Sequence, residues 1–268
     1  MNNTAIEVYG VPWDEKSSFM QGCRDAPAKI WDAFNCASAN RCTESGLSLT
    51  KPELLSYRGM LELSSGDQVV QQIERAASDI GAAESLPIFL GGDHAITYPL
   101  VKGLRKTYPK LNIIHFDAHP DLYDKIRGDG FSHGCPMARI MEEKLAVRLV
   151  SVGIRTMTPH QRSQAEKYGV EIIDMINFDS SSPLNFDGPL YVSLDLDVLD
   201  PAFVPGISHH EPGGMSTREL LRAIQNIHGT IIGADIVEYN PHRDLQNMTS
   251  MVAAKLMKEL AAKMLGRS

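Results

Sequence analysis

Short apolar runs alternate with helical periodicities along the whole of this chain, and that alternation limits the possible folds more than any other feature. Mostly apolar runs lie at 5–11, 59–63, 86–90, 111–116, 148–153, 170–173, 191–196 and 230–236, each too short for a helix. Strands covered on both faces read as continuous apolar segments, as these do, rather than as alternating ones. Between them the spacing turns helical. Val69, Val70, Ile73, Ala76, Ala77 and Ile80 make one stripe in a helix expected over 67–83. Asp25-Ala26-Pro27 and Thr158-Pro159 each place a capping side chain ahead of an early proline. Ser216 and Glu219 have the spacing of a capping box before Leu220, Leu221, Ile224 and Ile227. Further helices are expected at 96–106 and 249–265, and residues 36–56 are expected to be a loop. The pattern implies an α/β fold on a mostly parallel sheet, with one domain spanning 1–268.

Composition excludes several function classes. The formal net charge of the 268 residues is −7, and no basic run interrupts it. That argues against a nucleic-acid partner. No apolar stretch reaches the roughly 18 residues of a membrane-spanning helix, so no membrane role is expected. Cys23, Cys36, Cys42 and Cys135 lack metal-finger spacing. With no secretory signal at the N-terminus they are expected to be reduced thiols of a cytoplasmic protein.

Ligands of parallel α/β sheets bind beyond the carboxyl ends of the strands, and here those ends carry the chemistry. The run at 191–196 leads through Asp195-Leu196-Asp197 to Asp200-Pro201, and the run at 111–116 ends in Asp117-Ala118-His119-Pro120-Asp121. Residues i and i+2 of a strand share a face, so continued strand geometry would aim each set one way. Buried like charges cost several kcal/mol each unless a positive group sits between them. With His94 the two sets offer two imidazoles and four carboxylates. This donor mix suits a hard or borderline ion such as Mn2+ more than a thiolate zinc site. Six ligands, several able to bridge, suit two ions roughly 3.5–4 Å apart. Such a pair makes hydroxide available near neutral pH, which points to hydrolysis. His115, inside an apolar run, reads as a satisfied core histidine.

These segments carry a family resemblance. Gly91-Gly92-Asp93-His94, Phe116 to Asp121, Ser193 to Gly206 and Gly233 to Pro241 resemble, in order and spacing, the four motifs of the ureohydrolase (arginase/agmatinase) family. Residues 208–220 and 251–256 are most similar to the plant-type arginases. The resemblance implies a three-layer α/β/α fold on an eight-stranded sheet, a trimer or hexamer, and a dimanganese centre that hydrolyses a guanidino group to urea and an amine. It implies His94, Asp117, Asp121 and Asp197 around one ion and Asp117, His119, Asp195 and Asp197 around the other. Asp121 would also steady the attacking water, Glu238 would pair with the guanidinium, and His133 would carry a proton to the leaving amine.

Two departures from the animal branch fall where the far end of a substrate would be read. Tyr123 stands in place of an Asn, and Gly206-Ile207-Ser208-His209-His210-Glu211-Pro212 replaces a GTGTP run. Tyr123, His209 and His210 are therefore candidate substrate residues. The loops 122–133 and 201–214 would carry them. L-Arginine is the expected substrate. Agmatine, guanidinobutyrate and free guanidine are the alternatives, the last with Ni2+. Rival readings are an inactive metal-binding homologue and a single-zinc deacetylase of related fold.

Overall fold

The computed structural model describes residues 5–66, 68–83 and 85–267. Asp67, the expected start of the second helix, lies outside them. Eight strands form one sheet: β1 (Ile6–Val11), β2 (Leu55–Met60), β3 (Leu86–Gly91), β4 (Asn112–Phe116), β5 (Arg148–Ile154), β6 (Glu171–Asp174), β7 (Leu184–Asp195) and β8 (Ile227–Val237). Their order is β2-β1-β3-β8-β7-β4-β5-β6, and every pairing is parallel. Among the described residues seven α-helices flank the sheet: α1 (Ala26–Asn35), α2 (Val69–Ala82), α3 (Thr97–Leu104), α4 (Pro136–Glu142), α5 (Pro159–Tyr168), α6 (Thr217–Gln225) and α7 (Met248–Met264).

Alternate strand residues feed two cores, one on each face. Ile88, Leu90, Ile114, Phe116, Val192 and Leu194 pack with α1, α6 and α7. Phe89, Ile113, Leu149 and Tyr191 pack with α2 and α3 on the other side. The three-layer architecture expected from the sequence is present. The expected capping box forms at Ser216/Glu219, and the expected cap Thr158 completes a second box with Gln161, whereas Asp25 makes no side-chain cap bond.

Two local expectations fail, and one helix had no sequence signal. The second strand begins at Leu55, inside the expected loop, and ends at Met60. It is an edge strand in which Leu55 alone is fully buried, so it lacks the apolar run that marks a central strand. The helix α4 went unread because it is seven residues long. Most important, strand geometry does not continue into the acidic clusters. Strand β4 stops at Phe116, and β7 stops at Asp195, whose side chain caps a 3-10 turn by accepting from the Asp197 N–H at 2.8 Å.

Register explains how distant residues meet. The four strands β3, β8, β7 and β4 are consecutive in space. Leu90 is level with Ile236, Leu194 with Ile236, and Phe116 with Leu194. Their exits therefore lie side by side at a spacing of about 4.8 Å per strand. The strap after β1 closes over this edge. A Cβ on Gly92 would come within 1.7 Å of the Trp13 carbonyl oxygen, so the first motif needs glycine there. Lys16 N–H donates to Asp93, and the Lys16 carbonyl accepts from His133 N–H at 3.2 Å.

Candidate metal centre

His94 leaves β3 in a short 3-10 turn and is fully buried. Its Nε2 lies 2.9 Å from Ser193 Oγ. Ser193 donates its own proton to Asp235 at 2.8 Å, so Oγ accepts from the ring N–H. In the neutral ring the Nδ1 lone pair then faces Oδ2 of Asp117, Asp121 and Asp195, at 3.2, 3.0 and 3.1 Å. Nδ1 makes no well-formed hydrogen bond to any of them. A lone pair and three carboxylate oxygens converging on one point need a cation there.

A second convergence adjoins the first. His119 Nδ1 lies 3.0 Å from Asp197 Oδ2 and 3.4 Å from Asp117 Oδ1. Asp117 therefore faces both groups, one oxygen to each. Burial, then Asp197 and Asp117, push the Asp195 carboxyl well up. Burial and Asp117 raise Asp197 as well. Burial also opposes ionisation of Asp117, but the imidazoles of His115, His119 and His94 outweigh it and hold its pKa well down. Four buried carboxylates crowded together with two imidazoles fit two divalent ions. The division between them differs from the one the resemblance implied: Asp195, not Asp197, stands beside His94.

His115 is more than a core histidine. Its Nε2 donates to Asp117 Oδ2 at 2.7 Å, and its Nδ1 accepts from Ser151. It fixes the orientation of the carboxylate shared by both groups, a recurrent role for buried partners of metal ligands. Its position two residues before Asp117 was the available signal.

Glu238 follows β8 with a left-handed φ of 64°, and Asp121 has φ 50°. Such backbone in non-glycine residues is sparsely populated and clusters at functional sites. One Glu238 oxygen accepts from His94 N–H and from His133 Nδ1, each at 3.0 Å. It does not pair with Arg155, which is spent on the carbonyls of Asp197, Val198, Leu199 and Glu211. Burial opposes a charge on His133, but Glu238 lifts its pKa to about 9. Glu238 is itself held at about 2, since His133 outweighs its burial.

A cavity of about 180 Å³ opens onto these groups. His119, Asp121, Asp195, Asp197, His133 and Glu238 line it, together with Ser18, Tyr123, Ile126, Gly134, Thr156, Thr158, Gln161 and His209. His209 stacks on His133 with ring centres 4.9 Å apart. Tyr123 and His209, two of the candidate substrate residues, line this cavity. His210 does not. It is exposed and bonds the Pro205 carbonyl. Thr156, Thr158 and Gln161 were missed, although they lie just beyond the exit of β5. Ser18 carried no sequence signal.

The family model described as Arginase family matches residues 4–262. The chain belongs to the arginase family. A mitochondrial arginase of Medicago truncatula is 43% identical over 95% of this chain and 80% of its own length. The solved structure of an arginase from Medicago truncatula superposes with a TM-score of 0.93 at 40% identity, covering 98% of this chain and 88% of that one. An agmatinase of Bacillus cereus is 32% identical over 95% of this chain and 90% of its own length. Members of this family are hydrolases, and so is this chain, acting on guanidino C–N bonds. The cytoplasmic expectation is corrected by the same comparison, because the Medicago relative is named as mitochondrial. Reduced cysteines do not distinguish one reducing compartment from another, so the thiols held no information on this point.

Proposed function

We propose that this arginase-family chain hydrolyses L-arginine to L-ornithine and urea with two Mn2+ ions. His94, Asp117, Asp121 and Asp195 would hold one ion; His119, Asp117 and Asp197 would hold the other. The pair supplies hydroxide at neutral pH and charge stabilisation at the attacked carbon. The remaining work belongs to the chain. Glu238 receives the guanidinium in a charge-assisted contact. Asp121, with one oxygen toward His94 and its body lining the cavity, accepts a hydrogen bond from the attacking water and orients it. His133, beside Glu238 and half-enclosed by His209 and Ser18, holds the proton that the departing amine needs. The strap at 13–22 keeps bulk water from this pair.

The observation that carries the reading is the His94 Nδ1 lone pair facing three carboxylates one hydrogen bond away from Glu238. Arginine over agmatine is supported by the greater identity to the named arginases than to the named agmatinase. The test is urea release by Mn2+-loaded protein given L-arginine and agmatine separately at equal concentration. Arginine is expected to be turned over faster. Faster agmatine turnover, or no urea from either, would overturn the assignment.

A further inference from the structure

We infer that Gln161 is the specificity residue for the amino-acid end of the substrate, and that it reads a carboxylate through its side-chain N–H2. The inference rests on the proposed arginine hydrolysis.

The argument begins with the capping box of α5. Gln161 Oε1 accepts from Thr158 N–H and from the Thr158 hydroxyl, both at 3.0 Å. Thr158 Oγ1 in turn accepts from Gln161 N–H at 3.3 Å. The Thr158 N–H, which can only donate, rules out a flipped amide, because a flip would aim N–H2 at it. The assignment of oxygen and nitrogen therefore follows from the fold. Gln161 is 4% exposed, lines the cavity, and gives its Nε2 no acceptor among the described residues. That N–H2 faces the cavity, where no acceptor among the described residues competes with a ligand for it.

The other polar groups of this wall cannot substitute. Thr158 Oγ1 is used twice within the box. Thr156 and Tyr123 carry hydroxyls, which rotate to donate or accept and so do not choose between ligand charges. Gln161 presents a donor alone. Charge is distributed accordingly. Asp121, Asp195, Asp197 and Glu238 lie at the exits of β4, β7 and β8, whereas the cavity residues beyond β5 (Thr156, Thr158 and Gln161) include no carboxylate.

Position agrees with chemistry. Glu238 leaves β8 and the Gln161 segment follows β5, with β7 and β4 between them. The roots of the two groups are roughly 14 Å apart at the usual strand spacing, and their side chains narrow the gap. A guanidinium at Glu238 on a short aliphatic stem would bring its opposite end to this wall. A carboxylate there meets the amide; a lone ammonium meets a donor it cannot use.

Gln161→Glu tests this cleanly. Glutamate at the third position of a helix is the usual partner in a capping box, so its first oxygen can keep both Thr158 bonds while its second replaces the N–H2. The kcat/KM of both variants is measured for L-arginine and for agmatine, with the melting temperature as a folding control. For arginine, kcat/KM is expected to fall at least about tenfold, chiefly through KM, as loss of a hydrogen bond to a charged group implies. The arginine-to-agmatine ratio is expected to fall further, since a carboxylate favours the ammonium end. A folded variant with the wild-type ratio would overturn the inference. Should Gln161→Glu not fold, Gln161→Met, which keeps the Thr158 cap on the backbone, must lower the same ratio or the inference fails. Wild-type preference for agmatine would instead overturn the proposed substrate, so the two failures are separable.

Discussion

Asp195→Asn should make the metal-free protein more stable and the metal-loaded protein less so. Asp195 is 3% exposed and shares the space around His94 with Asp117 and Asp121. Two unit charges about 5 Å apart repel by roughly 3 kcal/mol at an effective dielectric near 20. Burial and the neighbouring carboxylates already push the Asp195 carboxyl up, so proton uptake relieves part of that repulsion. A net gain of about 1 kcal/mol is expected in the stripped protein. For a chain of this size that corresponds to about 2–4 °C in melting temperature. Asparagine retains an oxygen for the Asp197 N–H, so the 3-10 turn survives. With metal the sign reverses. A ligand bound at a hundred times its Kd stabilises by about 2.7 kcal/mol, and the variant should lose most of that increment at the His94 site. The assay is calorimetry of wild type and variant after exhaustive chelation, repeated across a Mn2+ titration. If the chelated variant melts below chelated wild type, or gains as much from Mn2+, the argument that these carboxylates await a cation is wrong.

Two other predictions concern separate parts of the chain. Glu238→Gln should lower kcat/KM for arginine by roughly two to three orders of magnitude, since it removes a charged partner from the guanidinium; steady-state kinetics on protein shown to be folded by circular dichroism would check this. Glu44 takes two bonds from Arg218 at 2.7 and 2.8 Å and lies 3.4 Å from Lys255, which ties its loop to α6 and α7. The Arg218 contact holds its pKa at about 2 against an ordinary 4.5. A depressed carboxylate contributes its full stability above the unfolded pKa and loses it as pH falls towards the folded one. Glu44→Gln should therefore cost about 1 kcal/mol at neutral pH, the side chain being solvent-accessible, with the difference shrinking from pH 5 down to pH 2. A difference that does not vary with pH would remove the ion-pair explanation.

The central strands and the acidic exits were legible because burial on both faces leaves an apolar signature, and a carboxylate at the end of such a run has few structural explanations. Asp117, Asp121, Asp195 and Asp197 could be picked out without coordinates for that reason, with His94 and His119 beside them, whereas Glu238 was singled out by the family resemblance. Geometry beyond the strand ends was not legible. Asp197 reaches His119 through a 3-10 turn, and Asp121 turns inward through a left-handed φ; neither conformation leaves a mark on residue spacing. The edge strand β2 and the short helix α4 were lost for lack of an apolar pattern. Gln161 shows a subtler failure. Its capping role was hidden by reading Thr158-Pro159 as a helix start and looking no further, although position three of that helix faces the cavity.

The shared edge of β3, β8, β7 and β4 has a consequence for how the protein comes into being. Its candidate ligands are drawn from segments between His94 and Asp197, with Glu238 beyond, and β8 must insert between β3 and β7 before the edge exists. Loop-closure entropy is spent on these distant pairings before the contacts repay it, which makes such topologies slow to fold. During that interval the nascent chain exposes carboxylates that have no fixed geometry to offer an ion. The proposed metal pair would therefore load late, after β8 is in place, because only then are the carboxylates held in one geometry.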